Sequence, residues 1–193
     1  VKVFADNSNL DLWTVGLDGG LDMDAFFLNW DLMYQTGSID DIVFIDSASL
    51  VSNSGDFDVS AYFLHADAGL KSGNSKLTYT FWYSSGDDNN TDDDLEAFVA
   101  TDVDTAGSII VFKDSCADDD FFTERPYILD KGFIMNKLAL DTKVTDKLTV
   151  GAALLYMMTA EDIEYVDPGG TAHANDEIGW EGNAYASYML YSN

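Results

Sequence analysis

Trp13-Thr14-Val15-Gly16-Leu17-Asp18-Gly19-Gly20-Leu21-Asp22-Met23 alternates with a strict period of two. Its odd positions carry Trp, Val, Leu, Gly, Leu and Met, its even positions Thr, Gly, Asp, Gly and Asp. An extended chain turns successive side chains to opposite faces, whereas a helix repeats its apolar residues every three or four positions. The stretch therefore reads as a strand with one apolar and one polar face. After a tight reversal at Asp22–Ala25 the pattern resumes as Phe26, Leu28, Trp30, Leu32 and Tyr34 against Asn29, Asp31 and Gln35, with Phe27 and Met33 as exceptions. It returns as Tyr62, Leu64, Ala66, Ala68 and Leu70 against His65 and Asp67, then as Leu77, Tyr79, Phe81 and Tyr83 against Thr78, Thr80, Trp82 and Ser84. Phe133 to Asp141 alternates less cleanly, with Leu138 and Leu140 opposing Lys137 and Asp141. Leu148 to Met158 and Trp180 to Leu190 complete the set. Seven strands are predicted, near 12–23, 25–36, 59–70, 77–85, 132–141, 148–158 and 179–191.

Composition narrows what such strands can serve. The 193 residues hold 9 Lys+Arg against 35 Asp+Glu, a formal charge of −26. Nucleic acid is excluded as a partner, because phosphate neutralisation needs clustered bases. With 47% apolar and 13% aromatic residues the chain is no acidic disordered tail. No apolar run approaches the roughly 18 residues of a membrane helix. One Cys and two His provide neither a disulfide framework nor a His/Cys metal cluster. The chain begins at Val1 and stops at Asn193 directly after a strand-like run, so it reads as a mature and incomplete polypeptide.

The connections sort into two kinds. Strands 1 and 2, 3 and 4, and 5 and 6 are joined by short links, whereas the links near 37–58, 85–131 and 159–178 are long. In an antiparallel meander this puts every short turn at one end and every long loop at the other. Charge follows the same division. Residues 86–130 hold 14 acids against Lys113 and Arg125, and the other two long links hold 5 and 6 acids with no Lys or Arg. Lys71, Lys76, Lys143 and Lys147 flank two of the short turns. The fold class expected is all-β: an antiparallel up-and-down transmembrane β-barrel with short periplasmic turns and long acidic extracellular loops. Residues 1–193 then form a single barrel domain, a fragment of a larger one. An open seven-stranded sheet would leave backbone groups unpaired in lipid, and single-chain bacterial barrels use an even strand number.

A soluble sandwich would show the same alternation. Two features favour the barrel. Trp13, Phe26, Tyr34, Tyr62, Tyr79, Tyr83, Tyr156, Trp180 and Tyr188 lie on the apolar face towards strand ends, as interfacial girdles do. The other face carries small and polar residues suited to a hydrated lumen.

The stretches His65-Ala66-Asp67-Ala68-Gly69-Leu70, Lys76 to Asp88 (KLTYTFWYSSGDD) and Gly179-Trp180-Glu181-Gly182-Asn183-Ala184-Tyr185 resemble Gram-negative outer-membrane porins of the alginate-export type. The resemblance covers residues 58–98 and 178–191. It implies a large single-chain barrel of about 16 to 18 strands. A lumen that exports polyuronate should be lined by Arg and Lys; here Lys137 is the inward base, so the polyanion substrate does not carry over.

The inward residues Asp18, Asp22, Asp31, His65, Asp67, Lys137, Asp141 and Glu181 are the candidate pore lining. Rings of Asp and Glu favour cations. The loop residues Asp87, Asp88, Asp92, Asp93, Asp94 and Glu96 are candidate calcium ligands, with Asp102, Asp104, Asp118, Asp119 and Asp120 nearby. Calcium takes six to eight oxygens, although the spacing here does not follow an EF-hand. No nucleophile elbow, phosphate loop or zinc helix occurs, and Cys116 sits in an acidic stretch that disfavours a thiolate. The chain is accordingly expected to be no enzyme. It is expected to be an ion-transport channel of the cell outer membrane that needs no cofactor and passes ions and small hydrophilic solutes with mild cation preference. Expected partners are membrane lipid, lipopolysaccharide, small solutes or cations, and further copies in a homo-oligomer. The competing expectation is a secreted, acidic, calcium-binding β-sandwich acting in surface or glycan attachment.

Overall fold

The computed structural model describes residues 2–45, 52–89, 92–98 and 131–190. Among these residues there is no helix. The elements are β1 (Lys2–Asp22), β2 (Phe26–Ile45), β3 (Ser52–Ser72), β4 (Ser75–Ser84), the two-residue β5 (Asp94–Leu95), β6 (Phe133–Lys143), β7 (Leu148–Val166) and β8 (Ala172–Tyr188). The seven long strands form one sheet in the order β1-β2-β3-β4-β6-β7-β8, every neighbour antiparallel. Each therefore pairs with its successor along the chain, and β1 and β8 run in the same direction. β5 pairs in parallel with β3, off this path. The sheet is open: the all-β, up-and-down character expected from period two is present, whereas β1 and β8 do not pair to close a barrel.

Register keeps the two faces apart across the whole sheet. Leu17, Leu32, Leu64 and Tyr83 stand in one cross-strand row, and Leu21, Leu28, Ala68, Tyr79, Leu138 and Leu154 in another. This apolar face is uncovered. Trp13 is 69% exposed, Leu17 64%, Leu154 51% and Trp180 66%. Leu28, Leu64 and Phe81 are only half-buried, and among the described residues no second sheet lies over them. Aromatic side chains pair along it, Tyr34 with Tyr62 at 5.0 Å and Tyr156 with Trp180 at 4.7 Å between ring centroids.

Two of the three long connections prove to be ladder. β2 continues to Ile45 and β3 begins at Ser52, so most of 37–58 is hairpin. Likewise β7 and β8 extend to Val166 and Ala172, leaving a five-residue turn within the expected 159–178 loop. The cause lies in a switch of polarity. Beyond Thr36 and Ser60 the apolar residues Ile39, Phe57 and Val59 occupy the inner face and are fully buried, while Asp56 and Asp58 face out and are exposed. Period two persists, but its phase inverts, and the outward apolar pattern that marks the lower strands disappears. Among the described residues, the chain leaves this ladder after Ser84 and rejoins it at Phe133. Asp102, Asp104, Cys116, Asp118, Asp119 and Asp120 lie outside the described residues, as does the last residue of the expected 179–191 strand.

The inner face is also less uniformly polar than expected. Phe133, Met135, Ala139, Ala153, Leu155 and Met157 form a buried apolar cluster on β6 and β7, with Trp82 and Ile178 packed against it. A second cluster joins Ile39, Phe57 and Val59 to Leu95 and Ala97.

Candidate functional site

Antiparallel register, rather than proximity in sequence, assembles the inner-face site. Asp18 lies opposite Asp31, Asp31 opposite His65, and His65 opposite Trp82, so one row crosses four strands. The next row towards the short turns holds Asn29, Asp67, Thr80, Lys137, Leu155 and Glu181. His65 Nδ1 lies 2.9 Å from Asp31 Oδ2, a hydrogen bond, and its Nε2 lies 3.6 Å from Asp67 Oδ2, which is too long for one. The Thr80 hydroxyl donates to Asp67 Oδ1. Two carboxylates, Asp31 on β2 and Asp67 on β3, therefore flank one imidazole, with Asp18 beyond Asp31 in the same row. All of them remain partly exposed or exposed, so the patch presents net negative charge to whatever occupies the inner side. Such a field draws cations and repels anions.

The remaining inward residues do not join this patch. Asp22 forms an ion pair with Lys71 beside the short turns, where exposure leaves little energy in the contact. Lys71 and Lys76 both stand over the Phe27 ring, 5.6 and 4.3 Å from its centroid. Lys137 is two strands from Asp67 and two from Glu181, about 10 Å each way at ordinary strand spacing. Glu181 is buried. Asp141 accepts a hydrogen bond from the Tyr185 hydroxyl, whose ring lies across Gly151, where any Cβ would collide with it.

The candidate calcium ligands divide into two groups. Asp92 Oδ1 accepts from the Asp94 amide at 3.3 Å, and the Asp93 carbonyl accepts from the Asp58 amide at 3.0 Å, so this run is used in pairing β5 to β3. Asp87, Asp88 and Glu96 instead meet Glu161 and Lys131 at the neck of the β4–β6 connection. Burial raises the Glu96 carboxyl above the usual carboxylate range, helped by the charge of Asp88 and by a hydrogen bond between the two carboxyls. Glu161 is raised too, chiefly by burial and then by Asp88, with Lys131 opposing the shift. Among the described residues no three His, Cys, Asp or Glu side chains converge as a metal cradle.

Sequence reading missed Thr80, Tyr185, Lys131 and Glu161 as site members. Thr80 and Tyr185 were legible as inward positions, but their partners depend on register across the sheet. Lys131 and Glu161 fell in segments expected to be loop, where no alternation marks a face. No family model matches this chain, and neither does any curated protein or solved structure.

Proposed function

We propose that this chain forms wall of an outer-membrane pore that passes ions and small hydrophilic solutes with a mild preference for cations. The observation that carries the reading is the continuous, uncovered apolar face with cross-strand aromatic pairs, set against an inner face that brings Asp31 and Asp67 to His65, with Asp18 in the same cross-strand row. In water, an apolar sheet face of this extent would call for a covering layer. In lipid it needs none. From Trp13 to Met23 the outward apolar run spans about 33 Å of strand, which at a tilt of ~40° crosses about 25 Å, the height of a barrel's apolar band. The polarity switch beyond Thr36 and Ser60 suits strands that leave this band for water. The porin resemblance of residues 58–98 and 178–191 agrees with this placement, and calcium between the outer-end carboxylates remains compatible with it.

Two measurements test the proposal. The protein should fractionate with outer membranes and require detergent for extraction; release into the aqueous fraction would remove the lipid-facing assignment. In planar bilayers the intact protein should give stepwise conductance with a reversal potential favouring K⁺ over Cl⁻. Anion selectivity would overturn the role given to the inward carboxylates.

A further inference from the structure

The outward face is not evenly filled. Near the short turns it carries a groove of about 220 Å³, lined by Phe26, Ala68, Leu70, Leu77, Tyr79 and Leu138. Register creates it. Leu28, Ala68, Tyr79 and Leu138 share one cross-strand row, and Phe26, Leu70 and Leu77 the next. In the first row Ala68 presents a single methyl group where its neighbours present long side chains, and Gly69 beside it has no side chain. The Tyr79 hydroxyl donates to Asn136 Oδ1 at 2.6 Å, which fixes one wall of the groove.

Towards the turns the chemistry changes within one outward position. Ser72, Ser75 and Thr142 stand in a row about 7 Å beyond Leu70 and Leu77, and the Ser75 and Thr142 hydroxyls hydrogen-bond at 3.0 Å. Charge changes with it. Residues 71–76 and 142–147 hold Lys71, Lys76, Lys143 and Lys147 against one acid, Asp146, in a chain whose formal charge is −26. Lys71 is engaged by Asp22. Lys76 and Lys143 follow directly on Ser75 and Thr142, and at the end of a sheet such long side chains reach the headgroup level from either face.

We propose that this groove is a site for one acyl chain of a glycerophospholipid, whose phosphate is held at the Ser72–Ser75–Thr142 row by Lys76 and Lys143. The site presupposes the lipid-facing reading of the outward face and adds a lipid class to it. Hydroxyl and ammonium donors at one end, with apolar side chains along the rest, match the phosphate and the hydrocarbon of a single amphiphile. The acidic connections at the other end of the strands would repel a phosphate there, which assigns the lipid to the leaflet on the turn side. A second copy seated isologously on the groove would bring its own lysines against these, so like charges disfavour that occupant.

Native mass spectrometry of the refolded full chain in detergent, with dioleoyl phosphatidylglycerol added, tests the site. One phospholipid should remain bound per chain. Ala68→Leu fills the groove at a position that no second sheet covers, and should weaken retention about tenfold. Ala152→Leu makes the same change on the outward face of β7, outside the groove, and should leave retention unaltered. Lys76→Gln with Lys143→Gln should weaken it about fivefold for each lysine, and the corresponding Arg pair should restore it. If Ala68→Leu does not refold, the lysine pairs decide. No bound phospholipid, retention indifferent to Ala68→Leu and to the Gln pair, or an equal loss in Ala152→Leu overturns the site. Preference for lipopolysaccharide, or a second copy bound in place of the lipid, overturns it as well. Failure of the wall reading shows separately. A chain found in the aqueous fraction overturns the wall whatever the groove retains, whereas a chain that fractionates with membranes and retains no phospholipid loses the groove and keeps the wall.

Discussion

Gly151 shows how a single position on the inner face organises its neighbours. The Tyr185 ring crosses the backbone there and its hydroxyl reaches Asp141 two strands away. Gly151→Val should push the ring aside, break this hydrogen bond and cost about 1–3 kcal/mol, as overpacking does. Tyr185→Phe, which keeps the ring, should cost about 1 kcal/mol. Urea unfolding of the refolded protein compares the two; a neutral Gly151→Val would show that Tyr185 is not held. The carboxylates around His65 carry a separate expectation. Asp31→Asn and Asp67→Asn should each move the reversal potential towards zero selectivity, and together further than either alone. An unchanged potential would place the permeation path elsewhere. The lipid contact proposed for the outward side chains is open to a third test. Leu154→Arg should cost about 2–4 kcal/mol in bilayers, whereas Thr149→Arg, on the inner face, should cost little. Equal costs would show that the two faces meet the same medium.

At the scale of the element, the β7–β8 hairpin is fastened at its tip by one carboxylate. Asp167 Oδ1 accepts from the Gly169 amide at 2.8 Å and the Thr171 amide at 2.9 Å, and its Oδ2 meets His173 Nε2 at 3.1 Å, with His173 stacked on Tyr165. The Thr171 amide, followed by His173, holds this carboxyl below the usual carboxylate range. Because the folded value is depressed, the tip is fully fastened above the ordinary value of about 3.8 and loosens as pH falls below it. Exchange at Gly169 and Thr171 should accelerate in acid, after correction for intrinsic rates, and Asp167→Ala should show the acid behaviour at every pH. Acid-insensitive protection would refute the fastening. This hairpin also marks what the sequence could and could not disclose. Where the outer side chains are apolar, as from Trp13 to Met23, alternation alone located the strand and assigned both faces. Past Thr36, Ser60 and Met158 the ladder continues with acids and small polar residues outside, and composition there resembles loop. Inward placement of Asp18, Asp31, His65 and Asp67 was legible, since parity fixes the face. Their mutual contacts were not, because a shift of one strand by two residues preserves parity and changes every partner.

Across the whole molecule, period two and the three short links foretold the antiparallel pairs β1–β2, β3–β4 and β6–β7, for a short link can join only antiparallel neighbours. The open edges were not encoded in any local pattern, since β1 and β8 carry the same two-faced alternation as the strands between them. The buried apolar cluster of β6 and β7 likewise escaped notice, because Met135, Leu155 and Met157 sit at inward positions among residues read as small or polar.

The common direction of β1 and β8 has an arithmetical consequence. Hairpins contribute strands two at a time, so appending any number of whole hairpins to this sheet returns an edge pointing the same way, and the final seam would be parallel. A cylinder antiparallel all the way round requires an odd complement, for example one lone strand or a hairpin plus one. Rotating a second copy about the axis of such a cylinder does not escape the count, for it meets the first with both rims parallel.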